Sequence, residues 1–87
     1  MDMSSIQGLR VDATLDLRGI DPPAGYQKAR EKLSGLEEEH VLEIHVEEAA
    51  LRTLPFGLRA DGHEILVSEP TMQGVRMLVR KRSLLSQ

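Results

Sequence analysis

The chain has 87 residues, a formal net charge of −3 and no cysteine, a composition typical of one small acidic domain. Without cysteine it has no disulfide, no thiolate metal ligand and no thiol nucleophile. No apolar run approaches the roughly 18 residues of a membrane-spanning helix, so we expect a cytoplasmic protein that does not bind membranes. One Tyr and one Phe are its only aromatic residues, which predicts a core built from aliphatic side chains.

The first regular pattern begins about ten residues into the chain. Residues 1–9 are polar and aperiodic, and we expect them to form a flexible N-terminal tail. The domain itself is predicted over residues 10–82, followed by a short C-terminal tail over residues 83–87. Within residues 11–17, apolar and polar side chains alternate, which predicts a first strand with one face buried.

A helix is predicted directly after this strand. Pro23 suits the first helical turn, because its missing N–H would have no partner there. Tyr26, Ala29 and Leu33 follow at helical spacing, so they share one apolar face. Asp21 is expected to help cap the N-terminus of this helix, and Gly35 to end it.

The rest of the chain carries patterns for three strands and a short second helix. Alternation predicts the second strand at Val41–Val46, the third over residues 63–68 and the fourth over residues 75–81. A short helix is predicted over residues 55–60, and a loose hairpin over residues 69–74 joins the last two strands. The order β-α-β-α-β-β predicts an α+β fold, a two-layer α/β sandwich.

Residues 15–24 read Leu-Asp-Leu-Arg-Gly-Ile-Asp-Pro-Pro-Ala. This stretch resembles the signature of the TusA/SirA family of small sulfur-carrier proteins, Leu-Asp-x-x-Gly-Leu followed by Cys-Pro-x-Pro at the start of a helix. Asp16 and Gly19 match the family positions, and Pro23 stands where the first motif proline would be. Pro22 occupies the position of the sulfur-carrying cysteine. The resemblance therefore implies the family's fold without its persulfide chemistry.

Shorter matches to the same family follow in the same order. The segment Thr53-Leu54-Pro55 is similar to the family's Asp-Ile-Pro element, and Gly62-His63-Glu64 resembles its step into the third strand. The resemblance implies a four-stranded mixed sheet of order 1-2-4-3, with the last strand antiparallel to its neighbours and two helices on one face. On the open face it places Leu66 beside Leu78 in otherwise charged surroundings.

The motif positions also indicate a function. Sulfur carriers meet their partner enzymes at the entrance to the first helix, and this chain has no nucleophile, no acid–base pair at working spacing and no phosphate-binding loop. We predict a non-catalytic interaction module without a cofactor, an accessory or regulator in a sulfur-relay or redox-linked system. Its partner would be a desulfurase, a sulfur-relay protein or a redox enzyme. The residues expected to contact this partner are Arg18, Gly19, Asp21, Pro22, Pro23, Leu66 and Leu78.

Two alternatives remain at this stage. One is a sulfurtransferase-family protein that has lost the cysteine that carries the persulfide. The other is an RNA-binding module that uses Arg76, Arg80 and Arg82, because the fold is shared with the C-terminal domain of a bacterial translation initiation factor. The acidic net charge and the lack of exposed stacking residues disfavour RNA. We expect the arginines to face Glu43, Glu47 and Glu64 across the sheet instead.

Histidines and carboxylates alternate along the second predicted strand. Glu43, His45 and Glu47 lie at every second position, which separates neighbours by about 6.5–7 Å along the strand. This spacing favours a network of ion pairs over one coordination sphere, and we expect no metal site. Arg18 is expected to pair with a carboxylate close to it in the chain.

Overall fold

The computed structural model describes residues 10–83. The predicted tail over residues 1–9 and most of the predicted tail over residues 83–87 lie outside this range. A 3₁₀ helix at Glu48–Arg52 precedes the second α-helix. The elements in chain order are β1 (Ala13–Asp16), α1 (Pro22–Ser34), β2 (Val41–Val46), α2 (Leu54–Ala60), β3 (Glu64–Thr71) and β4 (Gly74–Arg80).

The four strands form one mixed sheet in the order β1-β2-β4-β3. β1 runs parallel to β2, and β4 runs antiparallel to both of its neighbours, β2 and β3. The predicted order, the direction of the last strand and the bounds of β2 are confirmed. Parallel β1 and β2 need a crossover connection, which α1 supplies.

A single aliphatic core lies between the sheet and both helices. From α1 it takes Ala29 and Leu33, and from α2 Leu54 and Leu58, all buried. The sheet contributes alternate residues of its two central strands, so both helices cover the same face, as expected. Those strand residues are Leu42, Ile44, Val46, Val75, Met77 and Val79.

Different hydrogen bonds are made at the two ends of helix α1. Asp21 precedes the helix, and its side chain forms no capping hydrogen bond, so the prediction that Asp21 caps the helix is wrong. The backbone carbonyl oxygen of Asp21 accepts the N–H of Gly25 at 2.8 Å. At the other end the Lys81 ammonium donates to the carbonyl oxygens of Leu36 at 2.9 Å and Ser34 at 3.5 Å. A cation at a helix C-terminus complements the helix dipole, so the end of β4 anchors α1. Among the described residues, no helix is long and apolar enough to span a bilayer.

Strand β3 departs most from the sequence prediction. It runs on to Thr71 and turns through only two residues, so the predicted loose hairpin is a tight one. Ile65 pairs with Val79, but Val67, not Leu66, pairs with Leu78, because a bulge inserts one extra residue. The bulge reverses which residues beyond it share the open face.

The bulge corrects the predicted apolar pair on that face. Val67 and Glu69 lie opposite Leu78 and Arg76, where an unbroken alternation would place Leu66 and Ser68. Leu78 is only 3% exposed, although neither α1 nor α2 covers this side of the sheet. The open face therefore does not present two leucines side by side to solvent.

Candidate functional site

The loop between β1 and α1 is held by Arg18. Its guanidinium donates to both carboxylate oxygens of Asp16, at 3.0 and 2.9 Å, and to the side-chain oxygen of Gln73 at 2.7 Å. The hydrogen bonds between Arg18 and Asp16 lower the pKa of Asp16 well below its ordinary range and raise the pKa of Arg18. The expected local pairing of Arg18 is confirmed, and the contact with Gln73 also brings the β3–β4 turn beside the loop.

An apolar groove of about 190 Å³ opens at the start of α1. Pro22 and Pro23 line it from the first turn of α1, with Tyr26 beside them. From the other side, Thr53, which directly precedes α2, and Gly57 within α2 line it. Helical periodicity places Tyr26 on the core side, and the structure confirms that it packs against the core. The groove itself depends on how close α2 comes to α1, which no local pattern in the sequence indicates.

Gly57 is the reason that α2 can lie so close to the tyrosine ring. A Cβ at this position would lie 2.7 Å from Cε1 of Tyr26 and 3.1 Å from its Cδ1, closer than carbon atoms pack. The glycine therefore shapes the groove even though it is less favourable than alanine within a helix.

The tyrosine ring is fixed by polar contacts on its outer side. Its hydroxyl donates to Oδ2 of Asp61 at 2.7 Å. Arg30 lies 5.6 Å from the ring centroid, in a cation–π arrangement. It also forms an ion pair with the same carboxylate oxygen of Asp61, at 3.6 Å. The hydrogen bond to Asp61 raises the pKa of Tyr26. Tyr26 thus presents a preformed wall to the groove.

Two large apolar side chains project into solvent from α2 and from the hairpin turn that contacts Arg18. Phe56, next to Gly57 on α2, is 61% exposed, and Met72, next to Gln73 in the hairpin turn, is 102% exposed. Within residues 10–83 only Val11, at 37%, is a further exposed large hydrophobic residue. Because aromatic residues and methionine are enriched at protein interfaces, this end of the domain has features of a docking surface. The sequence pattern did not single out Phe56, and the expectation that no aromatic residue is exposed is wrong.

The structure brings five of the seven predicted contact residues together. Those at the entrance to α1, all exposed, are Arg18, Gly19, Asp21, Pro22 and Pro23. Leu66 and Leu78 lie on the sheet instead, the first at the bulge and the second buried. A buried side chain offers no surface to a partner, so Leu78 is removed from the predicted contact set, and Leu66 lacks the apolar neighbour expected for it.

The arginines of the basic last strand are engaged with carboxylates. Arg76 lies 2.7 Å from both Glu43 and Glu69, which lowers the pKa of Glu43. Arg80 and Arg82 share two further glutamates within the described residues. The expected partners Glu43 and Glu64 are confirmed, whereas Glu47 is replaced by others. The remaining distances are 3.3 Å for Arg80–Glu64, 3.8 Å for Arg80–Glu39, 3.4 Å for Arg82–Glu64 and 3.5 Å for Arg82–Glu39.

This pairing bears on the RNA alternative. Phosphates would have to compete with carboxylates that already accept from each guanidinium, which reduces the charge available for electrostatic binding. Two of the three histidines are also engaged: Nε2 of His45 lies 3.1 Å from Glu43, and Nδ1 of His63 accepts the N–H of Arg82 at 3.1 Å. Nδ1 of the third, His40, is buried without a hydrogen-bond partner among residues 10–83. Over residues 10–83, no group of three or more His, Asp or Glu side chains could hold a metal ion.

No family model and no curated protein matches the chain. The likeness of residues 15–24 to sulfur carriers accordingly rests on the motif, together with a sheet order that agrees with the one it implied.

Proposed function

We propose that this chain is a non-catalytic, TusA-like interaction module that binds a protein partner through the entrance to α1. It would act in the cytoplasm as an accessory or regulator of a sulfur-relay or redox-linked system. The observation that carries the proposal is the preformed apolar groove between α1 and α2. Exposed Phe56 is next to the groove residue Gly57 in the chain, and exposed Met72 is next to Gln73, which contacts Arg18.

The two prolines at the start of α1 explain why this end favours docking over chemistry. Free N–H groups at a helix start stabilise a thiolate or bind an oxyanion. Pro22 and Pro23 have no N–H, and Gly25 donates its own to Asp21. The position thus lacks both a nucleophile and part of the donor set that would activate one. What it offers is rigid apolar surface, which associates at little cost in conformational entropy.

The resemblance to sulfur carriers indicates the class of partner. A domain with their architecture and no cysteine would occupy the docking site of a desulfurase without accepting sulfur, and so regulate the relay. The same geometry fits a sulfurtransferase-family protein that lost its cysteine and kept its docking surface. The paired arginines of β4 make RNA binding the weaker candidate.

Competition binding tests this function directly. A purified cysteine desulfurase is titrated with an authentic persulfide carrier in the presence of this protein, and displacement of the carrier is measured. We expect the wild-type chain to displace the carrier and Phe56→Ser to weaken displacement by about 10- to 30-fold, as at an interface hot spot. Val11→Ser is the matched control. Val11 is also exposed, but it lies before the start of β1, whereas the entrance to α1 follows the end of β1.

The controls separate docking from folding. Both serine variants should keep melting temperatures within a few degrees of the wild type, because neither side chain is buried. Lack of displacement at excess protein would contradict the proposal for desulfurases. Equal losses of displacement in Phe56→Ser and Val11→Ser would show that the groove is not the docking surface.

A further inference from the structure

The domain also contains a polar cleft, and no residue that lines it lines the apolar groove. The cleft lies where α2 leads into β3 and where β4 ends, and its volume is about 550 Å³. A second hollow of about 410 Å³ adjoins it and shares His63, Arg82 and Ser83. The first volume falls within the range of about 300–1,000 Å³ that small-molecule sites occupy.

Taken together, the walls of the cleft and of the adjoining hollow contain more cations than carboxylates. Arg59, Arg82 and Glu64 line the cleft, and the hollow adds Arg30, Lys81 and Asp61. Arg30 pairs with Asp61 at 3.6 Å, and Arg82 with Glu64 at 3.4 Å. Lys81 donates only to backbone carbonyl oxygens, and Arg59 forms no side-chain hydrogen bond or ion pair within residues 10–83. Two cations thus have no carboxylate partner there, in a chain whose net charge is −3.

His63 adds a neutral donor. Its Nδ1 accepts the backbone N–H of Arg82 at 3.1 Å, so the proton of the neutral ring is on Nε2. Burial lowers the pKa of His63, which keeps the ring neutral at pH 7. Because His63 lines both the cleft and the hollow, we take its Nε2–H as the candidate donor to an oxygen of a ligand.

We propose that this cleft binds a small molecule carrying a phosphate monoester, with Arg59 as its main cation and His63 as a neutral donor. A phosphate monoester carries about −1.5 to −2 charges at pH 7, which matches the two cations that lack a carboxylate partner. A guanidinium also donates in a geometry suited to phosphate oxygens. Asp61 and Glu64 would repel the ligand less while they remain paired with arginines. The site is separate from the docking groove, so this proposal does not depend on the proposed function.

Amide chemical shifts of the full chain can locate such a site. The protein is titrated with inorganic phosphate, then with glycerol phosphate, at constant ionic strength set by chloride. We expect saturable shifts concentrated at residues 59–65 and 81–83, and tighter binding of glycerol phosphate than of inorganic phosphate. Arg59→Gln should weaken binding at least about fivefold. Arg52→Gln is the matched control, because Arg52 is also exposed and forms no ion pair within the described residues.

Each other outcome would overturn the proposal. Shifts that scatter over the surface, or do not saturate, would show nonspecific screening. Equal affinities for acetate and phosphate would assign the cleft to carboxylates. Tighter binding of a short single-stranded RNA, with steep salt dependence, would assign it to nucleic acid. Unchanged affinity in Arg59→Gln would place the ligand elsewhere.

Discussion

Replacing Gly74 with alanine tests how the β3–β4 hairpin is held against the end of β2. Gly74 begins β4 with φ at 141°, a conformation that residues with a Cβ rarely adopt. A Cβ built there would overlap the carbonyl oxygen of Val46 and lie 3.5 Å from the Cα of Glu47. Because Val46 belongs to the central strand β2, its backbone cannot move aside without disturbing the core.

The expected loss of stability adds two contributions. The unfavourable backbone angle costs about 1–3 kcal/mol, and the overlap with a packed backbone atom costs about 1–3 kcal/mol. The sum, about 2–6 kcal/mol, is a large fraction of the roughly 4–13 kcal/mol expected for a domain of this length. At about 4–8 °C per kcal/mol, the melting temperature should fall by about 10 °C or more.

Two other glycines separate these contributions. Gly19 has φ at 82° with no atom within 4 Å of a built Cβ, so Gly19→Ala should cost only about 1–2 kcal/mol, from the backbone alone. Gly35 has φ at −89°, and its nearest contact would be Lys32 at 3.7 Å. Gly35→Ala should leave stability unchanged or raise it by about 0.4–1 kcal/mol. Urea denaturation of the three variants measures the series.

The order of stability of the three variants shows whether the contact with Val46 or the backbone angle alone accounts for the loss. A Gly74→Ala protein as stable as Gly35→Ala would refute the contact between the hairpin and β2. A Gly74→Ala loss no larger than that of Gly19→Ala would show that the backbone angle alone matters and that Val46 does not confine this position.

Three further experiments test individual hydrogen bonds and ion pairs of the fold. Asp12→Ala should destabilise by about 1–2 kcal/mol in urea, because Asp12 accepts a backbone N–H of β2 at 2.8 Å; Asp12→Asn, which keeps an acceptor, should lose less. Tyr26 is the only tyrosine, so phenolate absorbance measures its pKa directly. Its midpoint should lie above pH 10.0 because the hydroxyl donates to Asp61, and Asp61→Asn should lower that midpoint. An unchanged midpoint would contradict the hydrogen bond. Since Arg76 lowers the pKa of Glu43 from 4.5, their pairing stabilises the fold above that pH and is lost as the pH falls. Arg76→Met should therefore cost about 0.5–1 kcal/mol at pH 7 and less at pH 3, whereas an equal loss at both values would exclude the ion pair as its cause.

Local sequence pattern determined much of the fold. Alternation identified β2 with its observed bounds, and helical spacing identified the buried face of α1, because side-chain periods of two and 3.6 residues report burial directly. The sheet order came from a different source, the resemblance at residues 15–24. Cross-strand pairing of the β4 arginines with Glu43 and Glu64 was also predictable, since strands place charges at regular steps.

Contacts between distant segments were decided only by the tertiary structure. The bulge at Leu66 is defined by the register of β3 against β4, and a pattern read along one strand holds no information about its partner. The exposure of Phe56 and the shape of the groove depend on how closely α2 packs on Tyr26, which Gly57 permits. Arg18 meets Gln73 across 55 positions of the chain. Local propensities reach only a few residues, so the surface that would bind a partner had to come from three-dimensional packing.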